Sequence, residues 1–427
     1  MPVRSRETRV TVRRLPRPGR VTVRGGLMEY NPRARGGKGL MYVDHAATTP
    51  VRPEVLAAML PYFADEWGNP SSVYGPGRRA AQAITRARDT LADILDCARE
   101  EIVFTGSGSE GANLAIKGVA QAAALDGKRH LITSRVEHHA VLDTCRWLAK
   151  FAGFDLTEIE VDEHGTLDLD QLEREITSQT ALVSVMYANN EVGTIQPIQD
   201  VVRIAHERGV PVHTDAVQAA GHLSLDVEAL GVDLMSIAAH KFYGPKAVGA
   251  LYIRRGTRLL PQTQGGGQER GRRSGTENVA GVVGMAVALA RAQDERASTS
   301  PRLRELSSRM LRELPRRVGG CRVTGHPTRR LPGHASFVFD GIEIAPVLLG
   351  LDRHDIWASS GSACTSASSE PSHVLVAMGL SREWVFGALR LTFGIENTAA
   401  DVDALLEAIP PLVASARPAM AAASAVS

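Results

Sequence analysis

The feature that most constrains this chain is a repeated unit: a short apolar run, a polar or glycine-rich break, then a segment of helical spacing. Apolar runs fall at 101–105, 130–133, 155–161, 181–187, 210–213, 232–237 and 250–254. Helix-period segments such as 112–124, 140–151 and 168–176 lie between them. This alternation predicts an α/β fold with a mostly parallel sheet between helices. In such sheets ligands gather outside the carboxyl ends of the strands. Five polar groups stand just past predicted strand ends: Ser109, His138, Asn190, Asp215 and Lys241. Singly, each has a plain structural reading, such as a helix cap, a turn residue or a surface lysine. Together, at corresponding positions of one sheet, they point to a single site.

Lys241 lies in Ser236-Ile-Ala-Ala-His-Lys241-Phe-Tyr-Gly-Pro, where a strand stops between His240 and a Gly/Pro turn. A lysine that loses solvent there can give up its proton and attack carbonyls as an amine. Asp215 ends another apolar run, 26 residues earlier. Pyridoxal phosphate chemistry needs both groups, a lysine for the Schiff base and an acid to keep the ring nitrogen protonated. The stretch Gly106-Ser-Gly-Ser-Glu-Gly111 joins a strand to a helix. It reads as an anion site, because free amides and the helix dipole converge on it. It also satisfies GxGxxG, so a nicotinamide dinucleotide competes for it. Against that, no strand ending in a lone acid follows at the spacing ribose recognition requires.

The 427 residues are long enough for one large domain and a smaller one, with an ordinary soluble balance of 44% hydrophobic and 22% charged residues. Charge is unevenly placed. Residues 1–40 hold 11 Lys+Arg and 2 Asp+Glu, whereas 41–427 hold 38 and 45. The basic balance therefore belongs to the N-terminal stretch, and no direct nucleic-acid partner is expected for the folded body. Residues 1–40 should be a disordered basic extension. Their composition also suits a transit peptide, or a start site placed upstream of Met28 or Met41. The longest apolar run, 279–290, is too short to span a bilayer. Cys97, Cys145, Cys321 and Cys364 form no CxxC pair. Neither a metal site nor a disulfide framework is suggested, and a reducing cytoplasm fits.

The expected division is a large domain over 41–295, with 41–54 able to pack on the small domain. A small α+β domain over 296–416 and a tail over 417–427 follow. Helical segments at 277–296 and 302–315 flank the boundary. The Gly/Arg-rich stretch 265–278 is either a solvated turn or a cover for an anion. Cys364 sits in a small, polar loop rather than among apolar residues, as a reactive thiol would. Arg390 reads either as a bidentate carboxylate clamp or as a core ion pair.

Read together, DHAATTP, GNPSSVYG, EHHAVLDTC, NNEVGTIQPI, HTDAVQ, AHKFYGPK, RSGTENVAG and SSGSACTSAS resemble, in order, the cysteine desulfurases of the iron–sulfur cluster assembly type, within the class V aminotransferase group. The resemblance covers about Tyr42 to Gly394. It implies pyridoxal phosphate fold type I, the aspartate aminotransferase kind, with active sites at a homodimer interface. It implies that Lys241 carries the cofactor, Asp215 pairs with its ring nitrogen and His138 stacks on the ring. Asn190 and Gln218 match residues at the phenolic oxygen, and Asn190 also faces substrate. Gly108, Ser109 and His240 match phosphate ligands, and Thr276 one that reaches the phosphate from the other subunit. Arg390 matches the substrate carboxylate clamp, and Cys364 the thiol that takes sulfur from L-cysteine and passes it to an acceptor protein. His138 also matches a proton-transfer group. A selenocysteine lyase, a class V aminotransferase and a non-catalytic sulfur-relay partner are the competing readings.

Three departures stand out. Ala238 occupies a position where the family usually has Ser or Thr donating to phosphate, and losing such a bond costs roughly 1.5–3 kcal/mol if nothing replaces it. The phosphate loop reads TGSGSEGAN, with Ser109 in place of a threonine. The C-terminal extension that relatives use to dock a scaffold protein is not recognisable.

Overall fold

The computed structural model describes residues 40–361 and 370–423, with side chains to Arg417. The disorder expected for 1–40 and the expected reactive Cys364 therefore concern residues outside the described ones, Leu40 excepted.

Seven strands form the main sheet. Across it they run Ile102–Thr105, Gly249–Ile253, Leu234–Ala238, Val212–Asp215, Thr180–Ser184, His130–Ser134 and Asp155–Ile159. Only Gly249–Ile253 is antiparallel to its neighbours; the other pairings are parallel. The central strands are buried at every position, as expected of a sheet covered on both faces. Because these strands run the same way, their carboxyl ends share one edge. Thr105, Ser134, Ser184, Asp215 and Ala238 all end there, and the polar segments that follow them are brought together.

A second core packs around a three-stranded antiparallel sheet, with His334–Phe339 between Cys321–Val323 and Ala388–Thr392. Met41–Tyr42 pairs in parallel with Ile356–Trp357, and Val43 is buried in this second core. The next residues cross to the main sheet, where Thr49 Oγ1 donates to the His240 carbonyl and accepts from the Tyr243 amide. Segment 43–49 thus bridges the two cores beside the strand ends.

Several boundaries differ from the sequence reading. One helix, Val279–Arg317, replaces the two expected around residue 300 and runs through Pro301. An interior proline costs about 3 kcal/mol. Here the helix buries Val282, Met285 and Leu289 in the first core and Leu303, Leu306, Met310 and Leu314 in the second. Nearer the N-terminus, two short helices, Pro53–Met59 and Pro61–Ala64, are divided at Pro61, whose ring removes an amide donor. The last helix, Ala399–Ala423, continues past 417, where no structure was expected; alanine has the highest helix propensity. Among the described residues, no helix is long and apolar enough to cross a membrane.

Candidate active site

Lys241 closes a single 3-10 turn, Ala239–Lys241, that follows directly on strand Leu234–Ala238. Its Nζ donates to the carbonyls of Ala46 (2.6 Å) and Ala47 (2.8 Å). Asp215 ends the adjacent parallel strand, in register with Ser236. Burial pushes its carboxyl up to about 6, while the Val217 amide on Oδ1 (2.9 Å) and the Lys241 charge act the other way. His138 is the N-cap of helix His139–Phe151, and its Nδ1 accepts the Ala140 amide at 3.1 Å. A neutral ring with Nδ1 so occupied carries its proton on Nε2. Burial, then the charge of Lys241, lowers its pKa to about 4, so neutrality is the resting state.

His240 Nδ1 meets Thr48 Oγ1 at 3.2 Å, and its pKa is likewise lowered to about 4, first by burial. Gln218 Nε2 shares the Ala46 carbonyl with Lys241, at 2.9 Å. The anion-binding stretch is tighter than its sequence suggested, because the helix begins at Gly108, not at Ala112. Ser107 caps it by accepting the Glu110 amide, which puts Gly108 and Ser109 in the first turn, where amides lack intrahelical acceptors. Gly108 is required by close approach: a Cβ there would lie 2.8 Å from a Val217 methyl and 3.2 Å from Ala238 Cβ.

Arg390 enters from the second core and is 1% exposed. Its Nη1 donates to the carbonyls of Asn190 (2.8 Å) and Gly361 (2.7 Å), and its Nη2 to Asp44 (2.7 Å). Its Nε is buried and has no hydrogen-bond partner among the described residues. The core ion pair, one of the two sequence readings, is present.

Gly108, Ser109, His138, Asn190, Asp215, Gln218, His240, Lys241 and Arg390 all line one cavity of about 300 Å³. Thr276 is exposed and does not line it. Cys364 lies outside the described residues, although Gly361, at the near end of its loop, lines the cavity. Residues 41–405 match the family model for aminotransferase class-V. A cysteine desulfurase IscS from Methanosarcina thermophila is 48% identical over 377 residues, 88% of this chain and 93% of that one. The chain belongs to the class-V aminotransferases, among the cysteine desulfurases. A solved NifS-like protein superposes with a TM-score of 0.82 at 37% identity, covering 88% of this chain and 99% of that chain. A solved SspA in complex with cysteine gives 0.71 at 36% identity, covering 83% and 98%. Membership of this family removes the dinucleotide reading of Gly106–Gly111.

The cavity's donors suit the cofactor expected of a class-V aminotransferase. A first helical turn with Gly108 packed close against Val217 and Ala238 provides amides for a phosphate. A buried acid and a lysine follow on adjacent strands, and a neutral histidine caps a third element. Several lining groups carried no sequence signal. Ala46 and Ala47 act through backbone carbonyls. Glu191, 5% exposed, accepts a hydrogen bond from Ser372 at 2.6 Å. His373 Nε2 donates to the Glu137 carbonyl at 2.8 Å, since a carbonyl only accepts. Asp44 was visible only as a letter in the DHAATTP motif.

Proposed function

We propose that this cysteine desulfurase uses pyridoxal 5'-phosphate, held on Lys241, to convert L-cysteine to L-alanine and leave the sulfur on Cys364 as a persulfide. The observation that carries the proposal is the convergence of Lys241, Asp215 and His138 on one buried cavity beside the Gly108–Ser109 helix start. The cofactor, when bound, supplies an aldehyde for amine capture and a ring that withdraws electrons from the substrate's Cα. Lys241 would hold it covalently and Asp215 would pair with its ring nitrogen. Asn190 and Gln218 would reach its phenolic oxygen, while Gly108, Ser109 and His240 hold the phosphate. Thr276 of a second copy would complete the phosphate site, which makes the working unit a homodimer.

The chain's own residues then have definite tasks. Arg390, which lines the cavity, would orient the substrate carboxylate, its guanidinium kept in place by Asp44 and the Asn190 carbonyl. The Lys241 amine, once released by substrate, removes the Cα proton. Neutral His138, with its proton on Nε2, can donate or relay a proton at the same face. The Cys364 thiolate attacks the substrate sulfur: an S–S bond forms, the substrate C–S bond breaks, and the carbon gains hydrogen to become alanine. Cys364 is thereby oxidised to the persulfide and passes this sulfur to an acceptor protein, for iron–sulfur cluster assembly or for thiolation of tRNA or cofactors. A cytoplasmic setting, where thiols stay reduced, suits this chemistry.

The test is incubation of the loaded protein with L-cysteine, measuring alanine and alkylating protein-bound persulfide. Alanine in step with persulfide on Cys364 is expected. Wild-type sulfide release from Cys364→Ser would overturn the persulfide role.

A further inference from the structure

The loop over 265–278 contains an unusual backbone: Glu269 and Arg270 are consecutive non-glycine residues with φ of 49° and 58°. Left-handed side-chain-bearing residues persist only where their surroundings over-determine them, and such strain gathers at ligand clamps. Here the restraint is a buried ion pair. Glu269, 6% exposed, accepts both Nη groups of Arg88 at 2.8 Å and the Phe104 amide at 3.1 Å. Arg88, from helix Gly75–Leu95, also donates to the Ile102 carbonyl and lies over the Phe104 ring at 4.7 Å. Buried ion pairs add little stability over apolar replacements, so fixing a geometry is the better explanation for this one.

Farther along, Arg273 reaches Glu110 at 2.6 Å, in the first turn of the helix that carries Gly108 and Ser109. The Gly275 amide is held by the Gln268 side chain at 2.9 Å. Thr276 follows, exposed, and does not line its own cavity. We infer that Arg88 and Glu269 are positioning residues that hold Thr276 for the cavity of a second copy, so that each cavity is finished in trans. This rests on the shared-cavity reading proposed above and adds the pair that sets the loop.

The experiment uses the loaded protein and follows cofactor loss spectroscopically, with a phosphatase destroying whatever is released. Glu269→Gln should speed release about tenfold, as loss of a charge-assisted contact at one remove would, while sedimentation still shows a dimer. Arg88→Lys, which keeps the charge but not the two-pronged contact, should show the same pattern more weakly and serves if Glu269→Gln does not fold. Mixed dimers separate positioning from general loosening, with Lys241→Ala marking one subunit so that a single cavity holds cofactor covalently. With Glu269→Gln on the same chain as Lys241→Ala, that remaining cavity should lose cofactor fast. With the two changes on opposite chains it should lose cofactor at the wild-type rate. Equal release from the two arrangements, or the reverse pattern, overturns the inference while leaving the dimer reading standing. Sedimentation of the unaltered protein as a monomer would overturn the shared-cavity reading itself.

Discussion

The cavity has two walls, and they are built by different means. One is the carboxyl edge of the main sheet, where Lys241 and Asp215 follow adjacent parallel strands and His138 caps the helix after a third. The other is Arg390, brought from the second core and secured by Asp44, 346 residues away in the chain, and by the carbonyls of Asn190 and Gly361. In the first wall, backbone register sets each side chain's place. In the second, a single guanidinium joins three separate segments. On the function proposed above, the two walls would divide the labour: the sheet wall would hold the cofactor and govern the chemical step, and the bridged wall would orient the substrate.

Breaking the sheet wall should have the largest effect. Lys241→Ala should lower alanine formation by roughly 10²–10⁴-fold, with loss of imine-type visible absorption, read by product assay and spectrum. Removing Asp215 should act in opposite senses on the empty and loaded protein. Its folded pKa of about 6 lies above the ordinary 3.8, so the folded chain holds this proton more tightly than the unfolded chain. Stability from this group is therefore full below about pH 4 and declines as pH rises to about 6. In cofactor-free protein, Asp215→Asn should thus match wild type near pH 4. Above pH 6 it should melt higher, by an amount on the order of 2–3 kcal/mol. The same variant loaded with cofactor should release it faster. A uniform change with pH would show that burial is not what controls this carboxyl.

Breaking the bridged wall should look different. Asp44→Asn keeps the shape but removes the charge facing Arg390; KM for cysteine should rise by about tenfold while the cofactor spectrum stays unchanged. A spectral change of the Lys241→Ala kind would mean that the two walls are not separable. The smallest effect is expected from Ala238→Ser. Ala238 Cβ lies close to the first turn at Gly108. A hydroxyl there would add a donor at the phosphate end and slow cofactor release a few-fold, about 0.5–1.5 kcal/mol. Equal release rates would show that the position lacks a path to the phosphate.

The sheet wall was legible in the sequence because its signals are local: an apolar run, then a polar residue. Parallel strands turn that local pattern into proximity, which is why Ser109, His138, Asn190, Asp215 and Lys241 meet. The bridged wall was not legible in the same way. Nothing near Arg390 in the chain names Asp44 as its partner, so clamp and core pair stood as equals, and the structure contains the pair. The carbonyls of Ala46 and Ala47 carry no side-chain signal at all. The break expected between the helical segments 277–296 and 302–315 is not made, because the local penalty of Pro301 is outweighed by burial in two cores, a non-local effect. The helix start at Gly108 was missed because glycine and serine read as loop, although Ser107 followed by Glu110 holds the capping contact.

The most direct test of the central claim is borohydride reduction of the cofactor-loaded protein followed by peptide mass spectrometry. The reduced cofactor should be found on the peptide containing Lys241, and Lys241→Ala should carry none. An adduct on a different lysine, or none on a protein that still turns over cysteine, would contradict the site proposed for this chain.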